Sequence, residues 1–214
     1  MLDNIKGIIF DIDGTLADSM GVWAESDRIL LERRGIEYKE EVSFALKSMH
    51  FISAVEYLKK LYGLTESAEE IGAEITDIVR DKYFHEIELM PFVREFMEHC
   101  RSKGIHMCAA TSNSRELAEA VLKNNGIYDM LDFLITSDEA GSGKENPDIF
   151  FMCAERMSTL PENTAVFEDS PHAAKTAYDN GFYTVGVNSG HFGDFDALEK
   201  CTSIRIKSFL ELIK

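Results

Sequence analysis

The sequence is short of several things, and each shortage narrows what the protein can be. Its four cysteines, Cys100, Cys108, Cys153 and Cys201, form no CxxC pair, so neither a disulfide framework nor a zinc site is expected. No apolar run approaches the ~18 residues of a membrane span. The opening MLDNIKGIIF has too brief an apolar stretch for a secretory signal, and a cytoplasmic location with reduced thiols is the expectation. Cations are scarce: 22 Lys and Arg stand against 38 Asp and Glu, a formal charge of −16. Such a chain repels nucleic-acid phosphates and anionic membranes, so neither is an expected partner. There is no internal repeat and no low-complexity tract.

What is present is an ordinary globular composition. With 214 residues, 45% hydrophobic and 28% charged, the chain can form one large domain or a core carrying an insert, and a monomer is expected. Short apolar runs recur at Gly7–Phe10, Ile105–Ala110, Phe133–Ile135, Thr164–Phe167 and Tyr183–Val185, with a weaker one at Ile204–Ile206. Continuous apolarity suits strands covered on both faces, as in a parallel sheet. Helical patterns lie between them. Pro91 opens Phe92 to Lys103 before Gly104, Ser114 can cap Arg115 to Asn125 before Gly126, and Pro147 and Pro171 open two more. Alternation of helix and strand from residue 91 onward predicts a doubly wound α/β domain.

Residues 20 to 88 break that rhythm with helical patterns alone: Met20 to Arg34, Tyr38 to Lys47, Phe51 to Tyr62 and Ser67 to Glu86. Phe51, Val55, Leu58 and Tyr62 fall on one face, and Ser67 with Glu70 spells a capping box. The predicted fold class is therefore α/β, a Rossmann-like parallel sheet core with an inserted all-helical domain. The core is expected over residues 1–16 and 89–214, the insert over 17–88.

The chemistry-bearing residues stand at strand ends, where open α/β sheets place their sites. The first strand runs into Asp11-Ile12-Asp13-Gly14-Thr15-Leu16, with Asp18-Ser19 close behind. Carboxylates two apart on extended chain point the same way, and two like charges there are costly unless a cation sits between them. The second strand ends in Thr111-Ser112-Asn113, which offers hydroxyls and amides to a phosphoryl oxygen. Lys144 follows a glycine loop and can reach inward as a point charge for phosphate. The fourth strand ends in Glu168-Asp169-Ser170, a second acidic pair able to complete an oxygen-ligand site for magnesium.

Acidic pair, hydroxyl, lysine, acidic pair, in that order, resembles the haloacid dehalogenase superfamily, in the subgroup resembling β-phosphoglucomutase. The resemblance spans essentially the whole chain. It implies that Asp11 is a nucleophile forming an aspartyl-phosphate and that Asp13 is the general acid and base. It further implies that Thr111, Ser112, Asn113 and Lys144 bind phosphate. Mg2+ would be held by Asp11, the backbone carbonyl of Asp13 and Asp169, with Glu168 as a further candidate. The helical insert would be a cap that selects the substrate, in which Trp23, Lys47, His50 and Arg80 are polar or aromatic candidates without an assigned role. The expected activity is hydrolysis of a small phosphate monoester such as a sugar phosphate. The alternative is a mutase passing phosphate between two hydroxyls of one sugar. Three departures from the family pattern stand out: Glu145 replaces a common Pro, Ala173 replaces a common Gly, and Ala45 to His50 lacks the Gly and Arg of the mutases' phosphosugar loop. The last favours hydrolysis. A signalling receiver domain also combines acidic residues, Thr and Lys, but it has no helical insert after its first strand and does not carry its nucleophile there.

Overall fold

A computed structural model describes residues 4–39, 42, 46, 51–190 and 195–213. Six strands, β1 (Gly7–Phe10), β2 (His106–Thr111), β3 (Phe133–Thr136), β4 (Thr164–Glu168), β5 (Tyr183–Val187) and β6 (Ile204–Ile206), form one parallel sheet in the order β3-β2-β1-β4-β5-β6. The chain moves outward from β1 through β2 to β3 and then returns to the other side of β1 as β4. The ends of β1 and β4 thus lie at the topological switch point, where such sheets hold ligands.

Helices α1 (Val22–Glu32), α2 (Phe51–Tyr62) and α3 (Ala68–His85) come from the insert. Helices α4 (Val93–Ser102), α5 (Arg115–Asn124), α6 (Ser137–Ala140), α7 (Asp148–Arg156) and α8 (Pro171–Asp179) belong with the sheet. No helix among the described residues is long and apolar enough to cross a membrane. The start of α4 differs from the sequence expectation. Phe92 adopts a left-handed conformation (φ 66°) at the cap position, and the helix begins at Val93.

Alternation along the strands sends side chains to two faces. Phe10 and Phe167 are paired in register on one face, with ring centroids 5.2 Å apart. Phe96 of α4 lies 5.3 Å from Phe167, and Phe209 stacks on Phe167 at 5.7 Å. All four rings are fully buried, each stabilising the fold by about 2–3 kcal/mol through removal of apolar area from water. On the other face Ile9 and Val166 pack with Phe150 and Cys153 of α7 and Ala177 of α8. Both faces of the β1–β4 seam are thereby covered.

The chain divides into two compact units, Met1–Met20 with Ile87–Lys214, and Gly21–Glu86. The divisions fall inside the 16/17 and 88/89 expected from the sequence because the connecting strands are tied to the sheet unit. Ala17 bridges Leu89, the Asp18 amide donates to Glu88 O (3.0 Å), and the Met90 amide donates to Leu16 O (2.9 Å). In the helical unit Leu30, Leu31, Val55, Leu58, Ile71, Ile75, Val79 and Tyr83 are buried. The capping box of Ser67 and Glu70 forms as the sequence predicts, with bonds of 2.9 and 3.1 Å. Arg34 ties α1 to Glu66 (2.8 Å) and Glu74 (2.7 Å). Most of the helix expected over Tyr38 to Lys47, the stretch Ala45 to His50 apart from Leu46, and the side chain of Trp23 lie outside the described residues. Arg80 is on α3.

Candidate active site

Asp11 is the first residue past β1, and its amide donates to Phe167 O (3.0 Å), which holds it on the β1–β4 seam. The chain then folds into a tight turn. The Ile12 carbonyl accepts from the amides of Thr15, Leu16 and Ala17 at 3.3, 3.0 and 2.8 Å. Gly14 sits in this turn at φ +86°, and a Cβ there would meet Met20 Cγ at 2.8 Å and Asp169 Cγ at 2.9 Å. Glycine is required twice over, by the backbone conformation and by the approach of Asp169 and Met20.

Lys144 brings the strand ends together. Its Nζ donates to Asp11 Oδ1 and to Glu168 Oε2 (2.9 Å), with all three side chains buried. Asp169, next along from Glu168, is also buried. Asp13 is half-buried. Its Oδ1 accepts from Ser19 Oγ (2.7 Å) and its Oδ2 from Asn113 Nδ2 (3.2 Å). Thr111 is buried at the end of β2, its Oγ1 accepting from the Asn113 amide (3.0 Å). A pocket of about 340 Å³ is lined by Asp11, Asp13, Thr111, Ser112, Lys144, Glu168 and Asp169, joined by Met20, Glu145, Ser170, His172 and Ala173. Seven of the eight site residues expected from the sequence therefore line one pocket. Asn113 does not: its amide nitrogen is engaged by Asp13 and its Oδ1 accepts from the Ser114 amide (2.8 Å).

A family model of haloacid dehalogenase-like hydrolases matches residues 5–178. The chain belongs to that family. It is an enzyme of the phosphohydrolase type. A phosphorylated carbohydrates phosphatase of Thermotoga maritima is 26% identical over 177 residues, covering 83% of this chain and 82% of its own. A fructose-1-phosphate phosphatase of Escherichia coli is 27% identical over 188 residues, covering 87% and 98%. Among solved structures, a proposed β-phosphoglucomutase from Thermotoga maritima superposes with a TM-score of 0.89 at 25% identity, covering 98% of both chains. The resemblance to the β-phosphoglucomutase-like haloacid dehalogenase proteins read from the motifs is thus matched in three dimensions.

Within this candidate site, charge is out of balance. Burial, then the nearby Asp11 carboxylate, pushes Glu168 up to about 8, against the opposing pull of Lys144. Burial and Asp11 likewise push Asp169 up to about 7, opposed by a hydrogen bond from Ser189. Asp11 itself is raised, by burial first, although Lys144 pulls the other way. Burial disfavours the Lys144 cation, but Asp11 and Glu168 outweigh it and hold its pKa above the usual lysine value. One lysine cannot neutralise three buried carboxylates. Asp11 Oδ2 is also buried without a hydrogen-bond partner, and Asp11, Glu168 and Asp169 each offer an oxygen within 4.8 Å of the others. An orphaned oxygen inside an all-oxygen donor set fits a hard divalent cation.

Two residues that reach the site carried no assignment from the sequence. Ser19 was visible beside the first motif, but only the structure shows its hydroxyl on Asp13. Ser189 is buried just past β5 and bonds Asp169. Polar Asn188-Ser189 at the end of a strand is the same signal that marked the other sites.

Proposed function

We propose that the protein is a magnesium-dependent phosphatase that hydrolyses small phosphate monoesters, sugar phosphates among them, by way of a phosphoryl group carried on Asp11. The observation that carries this reading is the buried Asp11 carboxylate, with one oxygen on Lys144 and the other without a protein partner, at the floor of a pocket that Asp13 and Thr111 also line. The phosphatases among the relatives support the reaction class.

In this reading a carboxylate oxygen of Asp11 attacks phosphorus while the ester P–O bond breaks. Asp13, protonated, gives its proton to the departing alcohol oxygen. Asp13 then accepts a proton from a water molecule that attacks phosphorus. The acyl-phosphate P–O bond breaks, inorganic phosphate leaves and Asp11 is restored. Ser19 and Asn113 orient the Asp13 carboxylate, so Asn113 acts through Asp13 instead of on phosphate. Thr111, Ser112 and Lys144 meet the phosphoryl oxygens and offset their charge. Asp11, Asp169 and the Asp13 carbonyl would hold Mg2+, with Glu168 as a further carboxylate. When bound, the ion offsets the charge of the carboxylates and of the phosphoryl group. The helical unit takes the role of a substrate-selecting cap.

Phosphate release from sugar phosphates, nucleotides and small esters, with and without magnesium, tests this. The expected outcome is magnesium-dependent release that disappears in Asp11→Asn. A folded wild type that releases phosphate from none of them would contradict hydrolysis and direct attention to transfer between sugar hydroxyls.

A further inference from the structure

Glu145 follows the buried Lys144 directly and lines the same pocket, yet its side chain is exposed. Its carboxylate folds back over Gly143: a Cβ on residue 143 would meet Glu145 Oε1 at 2.7 Å and Cδ at 2.8 Å. The absence of a side chain at 143 is what leaves room for the carboxylate there. The loop is closed by the Asn146 amide donating to Gly143 O (3.0 Å), and the Glu145 carbonyl accepts from Thr176 Oγ1 of α8 (3.5 Å). Among the described residues the Glu145 carboxylate has no ion-pair or hydrogen-bond partner.

Each of the other acidic residues of the pocket has at least one protein partner. Asp11, Glu168 and Asp169 form the cluster around Lys144, and Asp13 is held by Ser19 and Asn113. Of the carboxylic residues that line the pocket, Glu145 is the one without such a partner among the described residues. The lining carries five carboxylates against Lys144 and the exposed His172, on a chain whose formal charge is −16. A second anion brought into this pocket meets a lining of net negative charge, to which Glu145 contributes. A hydroxyl meets a hydrogen-bond acceptor.

We propose that Glu145 is a specificity-determining residue that excludes phosphate monoesters whose alcohol part carries an additional anionic group and favours neutral polyhydroxyl ones. This rests on the phosphatase reading above. It works by repulsion, which discriminates between partners as effectively as added attraction does.

The test compares kcat/KM for glycerol 1-phosphate, neutral in its alcohol part, with that for 3-phosphoglycerate, which carries a carboxylate, in wild type, Glu145→Gln and Glu145→Lys. The wild type is expected to prefer the neutral ester. The preference should fall about fivefold in Glu145→Gln and further in Glu145→Lys, mainly through KM, as for one partly screened charge at pocket distance. The wild-type preference should also shrink with added salt. Release of phosphate with a preference that neither variant nor salt moves would overturn the role of Glu145 alone. No release from either ester by the wild type would overturn it together with the phosphatase reading.

Discussion

Replacing Gly14 with alanine tests whether the first turn and the second acidic pair are built as one object. The backbone at Gly14 lies at φ +86°, a region that costs an L-residue about 1–2 kcal/mol. Part of that is offset, because alanine also narrows the unfolded ensemble by about 0.4–1 kcal/mol. The expected net loss of about 1 kcal/mol corresponds to a fall in Tm of about 2–4 °C for a chain of this size. The functional cost should be far larger than the stability cost. The new Cβ would stand 2.9 Å from Asp169 Cγ, where ordinary contact begins at 3.4 Å. Asp169 must therefore retreat by about half an ångström or more, or the turn carrying Asp13 must. A misplacement approaching 1 Å costs about 10²-fold in rate, equivalent to about 2.7 kcal/mol of transition-state stabilisation. Thermal melts, kcat/KM and the magnesium concentration for half-maximal activity would be measured together. The expected result is a modestly destabilised protein with activity down about 10²-fold and magnesium half-saturation raised about tenfold or more. A variant with the predicted melting loss but wild-type activity and magnesium dependence would refute the coupling of Gly14 to Asp169.

Two further perturbations have definite expectations. Asp27 of α1 is 9% exposed, and burial pushes it up to about 7 from an ordinary 3.8. A raised carboxyl favours the folded state below the unfolded pKa and loses that contribution as pH rises toward 7. Asp27→Asn should therefore match wild-type stability near pH 4 and exceed it by a few kcal/mol at pH 8, at ~1.4 kcal/mol per unit; urea melts giving a pH-independent difference would be the contrary result. Removing the hydroxyl that orients Asp13, in Ser19→Ala, should lower kcat about 5–30-fold, the worth of about 1–2 kcal/mol for one positioning hydrogen bond. The loss should be greater for an alkyl ester than for p-nitrophenyl phosphate, whose leaving group needs little protonation; steady-state kinetics on the two esters would show it.

Much of this site could be read from the sequence because it is assembled from strand ends, and each strand end announces itself as an apolar run giving way to polar residues. Asp11, Thr111 and Glu168 were legible in that way, and the sheet follows from the same runs. What could not be read has physical causes. The pairing of Lys144 with Asp11 and Glu168 joins residues far apart in the chain, and only the β1–β4 seam brings them to one lysine. The bond from Asn113 to Asp13 Oδ2 could not be read either, because residue type alone does not reveal where an amide points. Helix α6 has four residues, too few for a periodic pattern, although Thr136 and Glu139 form a capping box around it. The ends of the sheet unit at Met20 and Ile87 are set by backbone hydrogen bonds between residues 16–18 and 88–90, which leave no side-chain signature.

The central claim is that phosphate passes through Asp11, and the most direct measurement is to trap it there. Asp13→Asn should still accept phosphate from acetyl phosphate, whose leaving group needs no acid, but should release it slowly for want of a base. Acid quenching followed by peptide mass spectrometry is then expected to find phosphate on Asp11, labile to hydroxylamine as an acyl-phosphate must be. Phosphate found on another residue, or persistent turnover by Asp11→Asn, would contradict the account.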